Sequence, residues 1–289
     1  MNYWDKDRIL ALFWEAALLG LKIKNDPHTV LKEDMTPVTL ADKSIEDFLA
    51  GELVDENTFL IGEETFETKG KEYLDNALSG DCWIIDPVDG TANFAASYDT
   101  WGISIGFARG GIIQQGGVFL PEKGEVLLTD GEEVLYAGNR EIKSFQDLRN
   151  CVVSLKSPGK PFTGSSMVAL SQVVAKKGSI HIHNPVLATG SFVYSAASLA
   201  SGRDGALITN AKLWDVAGSL PCFARLGIKG GFLSDGTKDV TDCRITPAYY
   251  HLDYTAKDAF RLKDAAVFAE ERATIEKICS VCKLDYTLQ

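Results

Sequence analysis

Apolar residues recur at helical spacing near the start of the chain. Ile9, Phe13, Ala16 and Gly20 fall on one face of a helix expected over about 4 to 24, and Ile45, Phe48, Leu49 and Leu53 mark a second over about 41 to 54. Residues 58–61 and 82–85 are short apolar runs that end in acidic residues, the pattern of buried strands whose C-terminal ends deliver carboxylates. From Trp101 to Ala137, short β-rich segments alternate with Gly-Gly and Pro-Glu-Lys-Gly turns, which predicts an antiparallel meander. The pattern then changes. A strand is expected at 151–155, a helix near 165–177, a strand at 180–183, a helix over 190–201, extended chain at 206–209 and a helix over 215–226 that Gly230 and Gly231 end. Helices and strands mix in both halves. The expectation is a layered α/β (α+β) fold with a soft boundary, giving residues 1–148 and 149–289 as two tightly joined halves.

Composition narrows the class. The 289 residues are 45% hydrophobic, enough for a sizeable core. The net charge of -11 is spread along the chain, which argues against nucleic acid or an anionic membrane as partner. An anionic substrate would then need a local counter-charge, which bound metal supplies. No apolar run reaches the roughly eighteen residues of a membrane span. The first helix carries Asp5, Lys6, Asp7, Arg8 and Glu15 and does not read as a signal core. Six scattered cysteines are not a disulfide framework and fit a reducing cytoplasm. Cys279 and Cys282 form a single CxxC without a second pair, and His181 and His183 would share one face of a strand; ordinary thiols and histidines are the simpler reading of both.

The chemistry concentrates in Asp86-Pro87-Val88-Asp89-Gly90-Thr91, at the end of an expected buried strand. Pro87 fixes the backbone between the two carboxylates, and a tight turn can aim both of them and the Val88 carbonyl at one point. Oxygen-only ligands suit a hard cation such as Mg²⁺. Gly90 permits close approach of backbone to a ligand. Thr91 sits near a helix start, where free amides favour an anion such as phosphate. A plain turn with a helix cap remains the alternative. Glu63 and Glu64 end the other strand and Asp215 opens an apolar helix; alone, these would be solvated surface and an N-cap.

Together the segments resemble the inositol monophosphatase family in order and spacing. The carriers are Gly62-Glu63-Glu64, Asp86-Pro87-Val88-Asp89-Gly90-Thr91 and Trp214-Asp215-Val216-Ala217-Gly218, with an upstream element from Lys32 to Asp42 and Ala200-Ser201-Gly202-Arg203-Asp204-Gly205 before the last motif. The resemblance covers about residues 5 to 235. It implies an α-β-α-β-α sandwich like that of fructose-1,6-bisphosphatase, a lithium-sensitive phosphoric monoester hydrolase, and two to three Mg²⁺ ions. By position it gives Glu63, Asp86, the Val88 carbonyl, Asp89 and Asp215 to the metals. Glu64 would orient a water at the metals, Asp42 and Thr91 would polarise the attacking water, and the amides of Gly90 and Thr91 would hold the phosphate. By the same analogy a homodimer is expected, and attack on the ester would be direct, without a phosphoenzyme; the cytoplasmic expectation rests on the cysteines.

The recognition side departs from the inositol-specific pattern. Ile208 stands seven residues before Asp215, where those members carry an acid for ring hydroxyls, and Phe192 stands where a small residue is common. Lys212 would either face a second anionic group or be a solvated lysine. The expected substrate is a small phosphorylated metabolite: a polyol, sugar or amino-alcohol phosphate. Histidinol phosphate, fructose 1,6-bisphosphate and 3′-phosphoadenosine 5′-phosphate are alternatives in the same fold, and a non-catalytic binding protein is the alternative of another class.

Overall fold

The computed structural model describes residues 3–24, 30–31, 37–38, 40–138 and 142–285. The N-terminal pattern yields α1 (Lys6–Lys24), a short antiparallel pair β1 (Val30–Leu31) and β2 (Pro37–Val38), and α2 (Leu40–Leu53). Residues 32–36 and 39 of the upstream element lie outside the described residues, whereas Asp42 lies in the first turn of α2. α1 buries Ile9, Phe13, Ala16 and Gly20; Asp7 in its first turn and Lys22 and Lys24 in its last suit the helix dipole.

Next come β3 (Thr58–Gly62), α3 (Lys71–Ser79), β4 (Asp81–Asp89) and the short α4 (Thr91–Ala95). The meander follows as β5 (Gly102–Arg109), β6 (Ile112–Leu120), β7 (Glu125–Asp130) and β8 (Glu133–Ala137), then α5 (Phe145–Cys151) and β9 (Val153–Ser154). Strands β3 to β9 form one seven-stranded sheet in sequence order, parallel between β3 and β4 and antiparallel elsewhere. Alternation along β4 shows why this strand reads as an unbroken apolar run. Cys82 and Ile84 pack with Trp214, Val216 and Ala217 on one face, while Trp83 and Ile85 pack with Ile9, Phe13 and Ile45 on the other. A strand covered on both faces has no polar side to show.

The second half contributes β10 (Met167–Leu170), α6 (Gln172–Lys177), β11 (Gly178–Ile180), β12 (Val186–Leu187), α7 (Phe192–Ala200) and β13 (Asp204–Thr209). It continues with α8 (Leu213–Ala217), α9 (Leu220–Leu226), β14 (Lys229–Phe232), β15 (Ala266–Ala269), α10 (Arg272–Val281) and β16 (Cys282–Leu284). The second sheet runs β12-β10-β13-β15-β14, and β11 pairs separately with β16. One face of this sheet, with Leu207 and Phe268, joins the central core of Val193, Trp214 and Phe223. The other, with Val168, Ile208 and Val267, packs on Ile275 and Ile278 of α10. Helices α1 and α2, the first sheet, α7 to α9, the second sheet and α10 therefore alternate as an α-β-α-β-α sandwich. No helix among the described residues is long and apolar enough to cross a membrane.

Several expected elements shift. The helix near 165–177 begins as β10, and only Gln172–Lys177 is helical, behind a Ser171 cap. Cys151, placed in a strand by its apolar neighbours, ends α5, which Ser144 caps at its start. The helix over 215–226 is two helices broken at Gly218 and Ser219, with Pro221 in the first turn of α9, where its missing N–H costs nothing. Gly227, at φ 76°, stops α9; Gly230 and Gly231 lie in β14 instead, where a Cβ on either would stand 2.7 Å from Val240 or from the Gly236 carbonyl. His181 and His183 fall beyond the end of β11, so they do not share a strand face, and His181 Nε2 lies 2.8 Å from Ser179 Oγ. Cys279 and Cys282 are free thiols on different elements.

Candidate metal centre

In a regular strand, residues three apart point to opposite faces. Asp86 and Asp89 escape this rule through a bulge. Asp86 pairs with Ser104 and Asp89 with Gly102, so β4 spends one residue more than β5 across the Pro87-Val88 step. Proline, which has no N–H for the ladder, suits that place. The extra residue brings both carboxylates to one side. Asp215, from the first turn of α8, joins them, and one oxygen from each of the three lies within 4.8 Å of the others. Three converging carboxylates with no nitrogen or sulfur donor among them are the donor type that a hard cation such as Mg²⁺ takes.

Each carboxylate is held from behind. The Val88 N–H donates to Asp86 Oδ1 (3.0 Å) and the Thr91 hydroxyl to the Val88 carbonyl (3.1 Å). Asp89 Oδ2 accepts from the Ser191 hydroxyl and from Val193 N (2.7 Å) at the start of α7. Asp215 Oδ2 accepts from Lys212 N (2.8 Å), as an acid in a first helical turn does. Gly90, at φ 89°, turns the chain from β4 into α4. Behind β3, Glu64 N donates to Glu46 Oε2 (3.0 Å).

The helix bearing Asp215 sits directly on the sheet bearing Asp86. Ser104 Oγ donates to the Trp214 carbonyl (2.8 Å) and accepts from Gly218 N (3.1 Å). A Cβ on Gly106 would stand 2.7 Å from that of Ala217, one on Gly116 2.5 Å from the Gly218 carbonyl, and one on Gly218 would overlap the Gly117 carbonyl. No side-chain layer fits between these backbones.

Burial and mutual repulsion raise the acids' proton affinity. Asp86 is raised well above the usual range by burial and then by the charge of Glu63. Glu63 rises to about 8 through burial and then Asp215, with Asp42 and Glu64 adding and Lys212 opposing. Asp89 rises to about 7 through burial and Asp215, against the hydrogen bonds from Ser191 and Val193. Asp215 is raised by burial. Glu63 stands outside the three-aspartate cluster and is linked to it through charge; a cation among the aspartates would relieve those three directly.

A cavity of about 160 Å³ opens beside Asp89 and Asp215, with Phe192, Thr209, Asn210 and Arg261 among its walls. A larger one of about 480 Å³, near Lys160, Arg203 and Asp204, touches none of the clustered acids. Phe192 is among the residues that line the smaller cavity. Ile208 is not: it is fully buried against α10, on the far face of β13 from Leu207 and Thr209. Lys212 holds its ammonium over the Trp214 ring at 4.7 Å, outside the cavity wall but close enough for its charge to act on Glu63 and Asp215. Ser104, Ser191 and Arg261 carry no motif. For Ser191 alone there was a signal, since a serine before an apolar helical run is an N-cap pattern.

The inositol monophosphatase family model matches residues 12–233. The inositol-1-monophosphatase of Mesorhizobium japonicum is 28% identical over 215 residues, 71% of this chain and 75% of that one. Human inositol monophosphatase 1 is 26% identical over 204 residues, 68% of this chain and 72% of that one. Among solved structures, the Thermotoga maritima IMPase superposes with a TM-score of 0.67 at 18% identity, covering 95% of each chain. With the layered sandwich and the three-aspartate cluster already in place, a match over most of the chain identifies it: the protein belongs to the inositol monophosphatase family and is a phosphoric monoester hydrolase.

Proposed function

We propose that the protein is a Mg²⁺-dependent phosphatase acting on a small polyol, sugar or amino-alcohol phosphate, with inositol 1-phosphate not its preferred substrate. The convergence of Asp86, Asp89 and Asp215 carries this reading. Glu63 and the Val88 carbonyl complete the proposed set of oxygen donors. When bound, Mg²⁺ would offset the charge of the phosphate, lower the pKa of water and stabilise the departing alkoxide.

The chain's own residues supply the rest. Glu64 and the Asp42–Thr91 pair orient the attacking water and draw its proton, while the amides of Gly90 and Thr91 fix the phosphoryl oxygens. Water attacks phosphorus in line; its O–P bond forms as the ester P–O bond breaks, and the alkoxide leaves with a proton. The case against inositol rests on the cavity wall, where Asp89 and Asp215 are the only acids among the described residues. With both in the metal set, no carboxylate is left to bind ring hydroxyls.

The test is phosphate release from p-nitrophenyl phosphate and a panel of phosphorylated metabolites, with Mg²⁺ and after chelation. Turnover that is unchanged by chelation, or absent with Mg²⁺, would overturn the proposal. In ¹⁸O-water, a single turnover should place the label in phosphate and none in the alcohol.

A further inference from the structure

The cavity beside Asp89 and Asp215 has one cationic side chain in its wall among the described residues, Arg261. Topology delivers it. Residues 260–262 run antiparallel to 211–213, with Leu213 N donating to the Phe260 carbonyl and Leu262 N to the Ala211 carbonyl, both at 2.9 Å. Arg261 Nη1 donates to the Asn210 carbonyl (2.7 Å). Among the described residues its Nε and Nη2 make no hydrogen bond, and no carboxylate pairs with it within 4.0 Å.

A guanidinium with unused donors beside a cluster of acids could serve only to neutralise them. That role ends when the cluster is loaded, because metal cations then repel the arginine as they satisfy Asp215. An anion on the substrate reverses this. Arg261 presents a planar fork suited to a carboxylate or phosphate. Lys212, directly across the pairing, lies over the Trp214 ring, acts on Glu63 and is not among the residues of the cavity wall. The cavity is small, so a group touching Arg261 would belong to the molecule whose phosphate sits at the aspartates.

We infer that Arg261 is a specificity-determining residue and that the substrate is a phosphate monoester carrying a second anionic group, carboxylate or phosphate. The inference rests on the phosphatase reading of the same site.

Two matched pairs test it: glycerol 1-phosphate against 3-phosphoglycerate, and fructose 1-phosphate against fructose 1,6-bisphosphate. The quantity read is the ratio of kcat/KM within each pair. Wild type should favour the more anionic member of at least one pair by about tenfold or more, and the pair that responds tells carboxylate from phosphate. Arg261→Gln should lower that ratio by about 10- to 100-fold, the effect of losing a charged hydrogen bond. Arg261→Lys should keep part of it. If wild type hydrolyses p-nitrophenyl phosphate with Mg²⁺ yet shows no preference in either pair, the inference fails while the phosphatase reading stands. It fails equally if Arg261→Gln slows both members of each pair by one factor, since the arginine would then merely seat Asn210 and Asp215. Should the glutamine variant not fold, the wild-type ratios still decide. With no Mg²⁺-dependent turnover of any ester, the phosphatase reading itself falls.

Discussion

Replacing Asp89 with asparagine should stabilise the metal-free protein at alkaline pH, although it removes a proposed metal ligand. Asp89 is 8% exposed, and its pKa rises from 3.8 to about 7. A raised carboxyl pKa means that the folded state holds its proton more tightly than the unfolded chain. The relative stability from this group is therefore full below about pH 4 and is lost as pH rises through about 7. At about 1.4 kcal/mol per decade, the loss is on the order of 4 kcal/mol above pH 8. Asparagine keeps the shape, stays neutral and can accept the bonds from Ser191 and Val193 through its carbonyl oxygen. For a chain of this size, about 2 °C per kcal/mol gives on the order of 8 °C in Tm. Calorimetry of chelator-treated wild type and variant from pH 4 to 8.5 is the assay. The variant should melt higher at pH 8.5, with the gap closing towards pH 4. Saturating Mg²⁺ should reverse the order, because binding stabilises in proportion to affinity, and phosphatase activity should be abolished. A chelated variant that is less stable than wild type at pH 8.5, or a gap independent of pH, would refute the reasoning.

Other outcomes follow from the same geometry. Ca²⁺ should bind yet fail to support turnover, because its longer bonds and larger ligand number misplace the water; comparable kcat with the two ions would contradict a site limited by Mg²⁺ geometry. Ile208→Glu should not improve inositol phosphate hydrolysis but should destabilise the fold by about 3 kcal/mol or more, since the carboxylate would be buried against α10; a folded variant of wild-type Tm with better inositol 1-phosphate kcat/KM would put residue 208 back in the cavity. Ser104→Ala should cost about 1–3 kcal/mol by leaving the buried Gly218 N–H without its acceptor and removing a donor to the Trp214 carbonyl. It should also weaken Mg²⁺ binding measured by titration calorimetry; unchanged affinity would show that Asp215 is held by other contacts.

The acids of the site are legible because charge interrupts an apolar run. Asp86 after Ile84-Ile85 and Glu63 after Ile61-Gly62 stand out against strands that bury both faces. The bulge that turns Asp86 and Asp89 to one side is hinted at by Pro87. Which face a given residue takes is another matter. Leu207 and Ile208 are both apolar because β13 is covered on both sides, so the sequence carries no parity signal, and counting back from Asp215 chose the wrong face. Helical periodicity ran through Gly218 and Pro221 and hid the break between α8 and α9, although a proline with a glycine three residues before it is a fair start signal. Met167–Leu170 merged with the apolar residues of α6 for the same reason. Ser104 and Arg261 act through neighbours 110 and 51 residues away, which no local pattern encodes.

The glycine seam between the first sheet and α8 acts as a gauge block. Where side chains separate two elements, their spacing drifts with every rotamer and every substitution between them. Here the gap is the thickness of two backbones, fixed by Gly106, Gly116 and Gly117 on one side and Ala217 and Gly218 on the other. The setting of Asp215 against Asp86 is thus insulated from Phe192, Thr209 and Arg261, which reach the cavity as side chains outside that gap. Such a chain can exchange the walls of its cavity without resetting the spacing of its aspartates.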